Sequence, residues 1–170
     1  MAIARHFSGG FQVLYNSSPE GTAEWHTYIC NLVHVVFSTK NRMKLIPEDF
    51  RDRLWRYVAG IARTNDFKAL AVGGTHDHLH ALLSLPAPLP ISKAVQLVKG
   101  GSSKWLGDNG IKFAWQDGYA AFSVSLSQMN HTMDYINSQE KHHTKRDFVE
   151  ELRILLEKHG IAYEERYLLG

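Results

Sequence analysis

The chain has 170 residues, a formal net charge of +2 and 44% hydrophobic residues. These values are typical of one globular domain with a buried core, and the small charge excludes general coating of nucleic acid through a bulk basic field. The lone Cys30 excludes an internal disulfide and a cysteine-based zinc cage, and its apolar neighbours predict a small core residue. No apolar run has the length of a transmembrane helix and no signal-peptide pattern is present, so we expect a cytoplasmic protein without a membrane partner.

The first third of the chain predicts a leader, a strand and a helix. Residues 1–24 carry Gly, Ser, Asn and Pro without a clean period, which predicts a poorly ordered leader before a single domain over residues 25–170. β-Branched and aromatic residues over 26–38 predict the first strand. After the basic loop KNRMK, the segment PEDFRDRLWRYVAGIARTN has apolar residues at helical spacing, with Pro47 suited to its first turn.

The remaining elements complete an α+β pattern. FKALAVG and the segment His78 to Leu85 predict two strands joined by the hairpin GGTHD, and SKAVQLVKGGSSKWL predicts a helix with a weak point or a close contact at Gly100–Gly101. AAFSVSLS predicts a fourth strand, and two helices follow, the second with Thr144 and Asp147 as a capping pair. The order β-α-β-β-α-β, followed by two helices, predicts a ferredoxin-like fold with an antiparallel sheet.

Histidines alternate at the start of the third strand. His78 and His80 share one face of the strand and lie about 7 Å apart at their Cα atoms, whereas Leu79 belongs to the opposite, apolar face. Such a pair can hold a cation, but a metal needs a third or fourth ligand, and surface or hydrogen-bonded histidines show the same spacing. His76 belongs to the pair only if the strand extends through the GGT turn, which the turn argues against.

A second candidate element is the helix that contains MDYINSQEKHH. Tyr135 and Gln139 are four residues apart and therefore share a helical face, with His142 and His143 about one turn later. A tyrosine in such a position is usually a half-buried packing residue. The helix alone therefore does not establish a catalytic site.

Together, these elements resemble a known family. The strand DHLHALLSLP, the segment WQDGYAAFSVS and a helix with YINSQEKHH, in this order, resemble the single-tyrosine HUH transposases of insertion sequences and their REP-associated relatives. HUH denotes His, a hydrophobic residue and His, which is His78-Leu79-His80 here. The resemblance covers about residues 26–168 and includes VVFSTKNR, ISKAVQLVKGGSSKWL and KRDFVEELRILLEKHGIAYEERYL.

The resemblance implies an enzyme that breaks and rejoins single-stranded DNA. Tyr135 would attack a phosphodiester, form a 5′-phosphotyrosine bond and release a 3′-OH, while His78, His80 and Gln139 would hold Mg²⁺ or Mn²⁺. A phenol has a pKa near 10, so a cation that offsets the charge developing on the phosphate makes chemical sense. Histidine and amide ligands are less typical of Mg²⁺ than carboxylates are, so the identity of the metal stays open.

Two basic patches are candidates for DNA contact. The candidate residues are Lys40 and Arg42 after the first strand, and Lys99, Lys104 and Trp105 on the second helix. Lysines can follow phosphates and a tryptophan can stack on a base, but a solvated loop and a core tryptophan explain the same pattern. The resemblance further implies recognition of hairpin ends, a homodimer, and a composite site with the histidines from one chain and Tyr135 and Gln139 from the other.

Two other functions remain open from the sequence. A zinc hydrolase would use His76, His78 and His80 and would not need Tyr135. A domesticated nucleic-acid-binding module on the same sheet would bind without cutting, although the intact set of His78, His80, Tyr135 and Gln139 argues against such decay.

Overall fold

The computed structural model describes residues 28–139 and 147–168, so the predicted leader and the residues His142, His143 and Thr144 lie outside the described residues. The elements are β1 Leu32–Ser38, α1 Glu48–Thr64, β2 Lys68–Gly74, β3 His78–Ser84, α2 Ile91–Asp108, β4 Ala120–Val124, α3 Met129–Asn137, α4 Phe148–Lys158 and the short α5 Glu165–Leu168. The order β-α-β-β-α-β followed by further helices confirms the predicted ferredoxin-like fold.

The four strands form one antiparallel sheet in the order β2-β3-β1-β4. The histidine strand β3 and its neighbour β1 are therefore the two central strands. Val36 lies directly opposite His80, and Ser38 opposite His78. Side chains at alternate positions of these two strands thus project from the middle of the sheet.

One face of the sheet packs on α1 and α2. Val33, Val35 and Phe37 of β1 join Leu79, Ala81 and Leu83 of β3 in this core, as the alternation in the sequence predicts. Gly101 marks a close contact within the helical layer, because a Cβ built there would lie 2.7 Å from Cδ1 of Ile61. Gly100 has open space instead, so close packing explains only one of the two glycines.

The opposite face of the sheet, here called the histidine face, is covered by α3 and α4. Ile136 of α3 packs with Leu82 and Ala71, while Phe148 and Leu156 of α4 pack with Val36 and Phe122. α3 approaches β2 at Gly73, where a Cβ would lie 2.2 Å from the carbonyl oxygen of Ile136. Only glycine at residue 73 lets α3 come this close to β2. This contact holds Ile136, the neighbour of Tyr135, against the sheet.

Two local predictions need correction or completion. The first strand begins at Leu32 rather than at residue 26, and Cys30 precedes it and is exposed, so the predicted core position of Cys30 is wrong. The paired registers of β1 begin at Leu32, and apolar composition alone did not reveal this. Asp147 does cap α4, since its side chain accepts a hydrogen bond from the backbone N–H of Glu150 at 2.8 Å.

None of the described helices has the length and apolar content to cross a membrane.

Candidate active site

His78 and His80 lie fully buried on the histidine face. Nδ1 of His78 is 2.7 Å from Oδ1 of Asp77, and Nδ1 of His80 is 3.0 Å from Nε2 of His34. Partners of this kind fix the ring orientation and the tautomer of metal-binding histidines. Because Nδ1 of each ring is engaged, Nε2 is the nitrogen that each ring can offer to a cation.

Asp77 orients the ring of His78 through a hydrogen bond. The residue precedes β3, and its carboxylate turns towards His78 and also accepts a hydrogen bond from Thr75 Oγ1 at 2.9 Å. Burial by itself would raise the pKa of Asp77, but the hydrogen bonds and charges of His78 and Thr75 lower it well below its usual value. Asp77 is thus an ionised acceptor that favours a proton on Nδ1 of His78.

His34 was not identified from the sequence, although it lies in the middle of a predicted strand. Its ring is buried and stacks on His80 with a centroid distance of 5.2 Å. Burial, followed by the charges of His80 and His159, lowers the pKa of His34 well below 6.5, so its ring is neutral at pH 7. With Nε2 of a neutral His34 as the acceptor, His80 donates from Nδ1 and its Nε2 carries a lone pair.

Glu151 was also missed, and it joins the two halves of the site. Its Oε1 atom accepts hydrogen bonds from Tyr135 Oη and, at 3.2 Å, from Gln139 Nε2, and it lies 3.6 Å from His80 Nε2. Burial raises the pKa of Glu151 to about 7, while the charge of His78 acts in the opposite direction. A buried carboxylate thus lies between the tyrosine helix and the histidine strand.

These residues form a group that can hold a metal ion. His78, His80 and Glu151 each offer a ligand atom, and the three atoms lie within 4.8 Å of one another. Gln139 is buried beside them, and its Oε1 atom accepts no hydrogen bond from the part of the chain that the structure describes. Two imidazole nitrogens, a carboxylate and an amide oxygen fit a divalent cation, and the carboxylate supplies the hard ligand that Mg²⁺ and Mn²⁺ favour.

Tyr135 is half-buried beside this group. Its ring contacts His80 and His34 edge-on, at centroid distances of 5.9 and 6.1 Å. One chain thereby brings Tyr135, Gln139, His78 and His80 together, so exchange of a helix between two chains is not needed to assemble them. The homodimer stays a prediction, and the contacts within one chain favour an alternative to the composite arrangement, in which each chain assembles its own site.

His76 lies outside the metal-capable group. It occupies the turn before β3, and its Nδ1 atom is 3.3 Å from Asp77 Oδ1. In the described residues, the group of possible metal ligands contains Glu151 and not His76. The site therefore lacks the convergence of three histidines that a zinc hydrolase using them would need.

Each of the five predicted DNA-contacting residues has a contact within the chain. Lys40 pairs with Asp117 at 3.1 Å, Arg42 donates to the carbonyl of Leu168, and Lys99 donates to the carbonyls of Gln116 and Gly118. On α2, Lys104 pairs with Asp108, and Trp105 stacks on Tyr57 with a centroid distance of 4.9 Å. Because α2 covers the face opposite the histidine face, the structure does not bring Lys104 and Trp105 to the site, and DNA contact by these five residues stays a prediction.

The chain is similar to transposases in both sequence and fold. A family model described as "Transposase IS200 like" matches residues 27–139, which include His78, His80, Tyr135 and Gln139. A crystal structure of a candidate transposase from Deinococcus radiodurans R1 is similar with a TM-score of 0.54 and 21% identity, over 69% of this chain and 98% of that chain. A REP-associated tyrosine transposase bound to a REP hairpin is similar with a TM-score of 0.54 and 19% identity, over 72% and 74% of the two chains. No curated protein matches the sequence.

Proposed function

The chain belongs to the IS200-like transposase family, and from this premise we propose that it cuts and rejoins single-stranded DNA with Tyr135 as the nucleophile. The observation that carries the proposal is the hydrogen bond from Tyr135 Oη to Glu151, inside a buried group that also contains His80 and Gln139. A nucleophile, a proton acceptor and candidate ligands for a cation thus lie side by side.

The proposed reaction exchanges one phosphodiester for another. Tyr135 Oη bonds to phosphorus while the bond from phosphorus to O3′ breaks, which leaves a 5′-phosphotyrosine and a 3′-oxygen that takes a proton to become a 3′-OH. Glu151 Oε1 accepts the phenolic hydrogen bond and is therefore the atom placed to take the proton of Tyr135. Rejoining reverses these steps, with a 3′-OH as the nucleophile. It needs no ATP because the phosphotyrosine retains the ester bond.

His78, His80, Gln139 and Glu151 are the residues that would hold Mg²⁺ or Mn²⁺. Such an ion supplies positive charge that polarises the scissile phosphate and offsets the charge of the transition state. Asp77 and His34 orient the two histidines through their Nδ1 atoms. The carboxylate of Glu151 supports Mg²⁺ or Mn²⁺ as the ion, because histidine and amide ligands alone are less typical of Mg²⁺ than carboxylates are.

Hairpin ends of single-stranded DNA are the proposed substrate, and a homodimer is the proposed assembly. The REP-associated transposase with the same fold is bound to a REP hairpin, which supports a hairpin substrate for this chain. Lys40, Arg42, Lys99, Lys104 and Trp105 remain candidates for contacts to the DNA backbone or bases outside the catalytic group.

The experiment that tests the proposal is adduct formation. The chain is incubated with Mg²⁺ or Mn²⁺ and 3′-labelled single-stranded oligonucleotides from the flanks of its own gene. We expect a protein–DNA adduct that survives denaturation in the wild type and is absent in Tyr135→Phe. Tyr163→Phe is the matched control, because Tyr163 also donates to a glutamate, Glu157, but lies outside the site.

The outcomes separate the three functions. An adduct in Tyr135→Phe at the wild-type rate would refute the assignment of the nucleophile. Hydrolytic activity that survives Tyr135→Phe but requires His76 would favour the zinc hydrolase. Hairpin binding by the wild type without any adduct would favour the domesticated binding module.

A further inference from the structure

A cavity of about 240 Å³ opens beside Tyr135 on the histidine face. α3 and α4 form its walls, and β4 forms its floor. Its wall positions recur about one helical turn apart on both helices: Gln128, Thr132 and Tyr135 at α3, and Glu151, Leu155 and Lys158 on α4. The cavity is therefore a groove between two helices rather than a gap at a single contact.

The groove leads away from the proposed chemistry. Tyr135 and Glu151 are hydrogen bonded at one end. Lys158 comes seven residues after Glu151 and Gln128 comes seven residues before Tyr135, so each lies about 10 Å along its helix from that pair. Because Tyr135 itself lines the groove, a nucleotide next to a phosphate at Tyr135 would be within reach of it.

The lining combines an apolar floor with polar groups. Phe122 is only 2% exposed, and its ring contacts the ring of His159 at a centroid distance of 4.5 Å. Leu155 adds apolar surface, while Thr132 and Gln128 supply a hydroxyl and an amide. Lys158 adds a formal positive charge, and the carboxylate of Glu151 is engaged by Tyr135 and Gln139. A base, which is flat and polar at its edge, and a phosphate match this chemistry.

We propose that this groove binds the nucleotide adjacent to the phosphate that Tyr135 attacks, with the base against Leu155 and a phosphate near Lys158. The inference rests on the proposed function, because that function places the scissile phosphate at Tyr135. It adds a binding site between α3, α4 and β4 to the catalytic group, and it makes α4 part of substrate recognition.

The first test fills the groove. Thr132→Trp places a large side chain on the α3 wall, and Asn130→Trp is the matched control, since Asn130 is exposed on the same helix and does not line the groove. Affinity for the oligonucleotides (dT)12 and (dA)12 is measured without added metal, so that no cleavage interferes. We expect Thr132→Trp to lower the affinity on the order of tenfold, as the loss of one stacked base does, with no change for Asn130→Trp. Equal affinities in two folded variants would overturn the proposal.

The second test removes the positive charge of Lys158. Because this side chain is exposed, its removal should leave the stability of the fold unchanged. For Lys158→Ala we expect the slope of log affinity against log salt concentration to fall by about 0.7, the value for one phosphate contact to a single strand. Lys112→Ala removes the same charge from an exposed position outside the groove and should leave the slope unchanged. An unchanged slope for Lys158→Ala would exclude the phosphate contact.

The two proposals fail in different ways. If the wild type forms the tyrosine adduct but Thr132→Trp binds and cleaves normally, the groove is not a nucleotide site and the catalytic proposal stands. If oligonucleotide affinity responds to Thr132→Trp and Lys158→Ala but no adduct forms, the groove is a nucleotide site and the catalytic proposal fails.

Discussion

Replacing Gly73 with alanine should separate the tyrosine helix from the metal-capable group. A Cβ at residue 73 would lie 2.2 Å from the carbonyl oxygen of Ile136 and 3.1 Å from its carbonyl carbon. A normal carbon–oxygen contact is about 3.3 Å or longer, so α3 must retreat by about 1 Å. Ile136 is the neighbour of Tyr135 and is fully buried, so the retreat displaces the proposed nucleophile as well.

The expected losses differ between stability, metal binding and cleavage. Overpacking of this size costs about 1–3 kcal/mol of unfolding free energy. A 1 Å displacement of a reacting group can cost about a hundredfold in rate, and we expect a loss of this order in adduct formation. His78, His80 and Glu151 lie on β3 and α4, so metal affinity should fall only by the contribution of Gln139.

Thermal unfolding, calorimetric titration with Mn²⁺ and the adduct rate measure these three quantities. Gly100→Ala is the matched control, because Gly100 lies inside α2 and, apart from the neighbouring backbone of that helix, no atom lies within 4 Å of the added Cβ. That variant should gain up to about 1 kcal/mol through helix propensity and keep full activity. If Gly73→Ala unfolds and cleaves like the wild type, α3 does not dock on β2 as described and the reasoning fails.

Three further substitutions probe the support of the site. His34→Phe removes the acceptor of His80 Nδ1 and should lower Mn²⁺ affinity by about 10- to 100-fold in calorimetry, and unchanged affinity would contradict the orienting role. Asp77→Asn should lower Mn²⁺ affinity by a similar factor, whereas His76→Ala should change Mn²⁺ affinity little. Equal losses of affinity in the two variants would indicate that His76 is a metal ligand. Asp147→Ala removes the cap of α4 and should lower the unfolding free energy by about 1 kcal/mol in denaturant titration, with no loss if the cap is dispensable.

The sequence predicted the fold and the shared faces of the candidate site residues because these depend on local patterns, whereas the role of Tyr135 came from the family resemblance. Alternation at residues 78–85 shows which histidines share a face, and the four-residue spacing of Tyr135 and Gln139 shows which side chains share a helical face. The order of strands and helices then favours one sheet topology over others. These inferences need no knowledge of distant contacts.

The sequence did not reveal His34 and Glu151, because their roles depend on contacts across the sheet and between elements. Glu151 is 71 positions beyond His80, and nothing in the helix pattern indicates that it meets that residue. A signal was present, since Glu151 lies three residues after Phe148 and four before Leu155, which places a charge on the apolar stripe of α4. A charged residue on a buried stripe needs a partner, and here the partners are Tyr135 and Gln139.

Whether two chains share a site can be decided by complementation. The resemblance implied a composite site, but one chain brings Tyr135 close to its own His80, and Gly73 allows α3 to dock on its own sheet. We therefore expect a mixture of His78→Ala and Tyr135→Phe proteins to stay inactive after subunit exchange, because each site within a single chain keeps one lesion. In a composite arrangement, half of the randomly mixed molecules are heterodimers and one of their two sites carries no lesion, so adduct formation would return to about a quarter of the wild-type level. Recovery of that size would show that α3 serves the partner chain, while the role of Tyr135 as the nucleophile would stand.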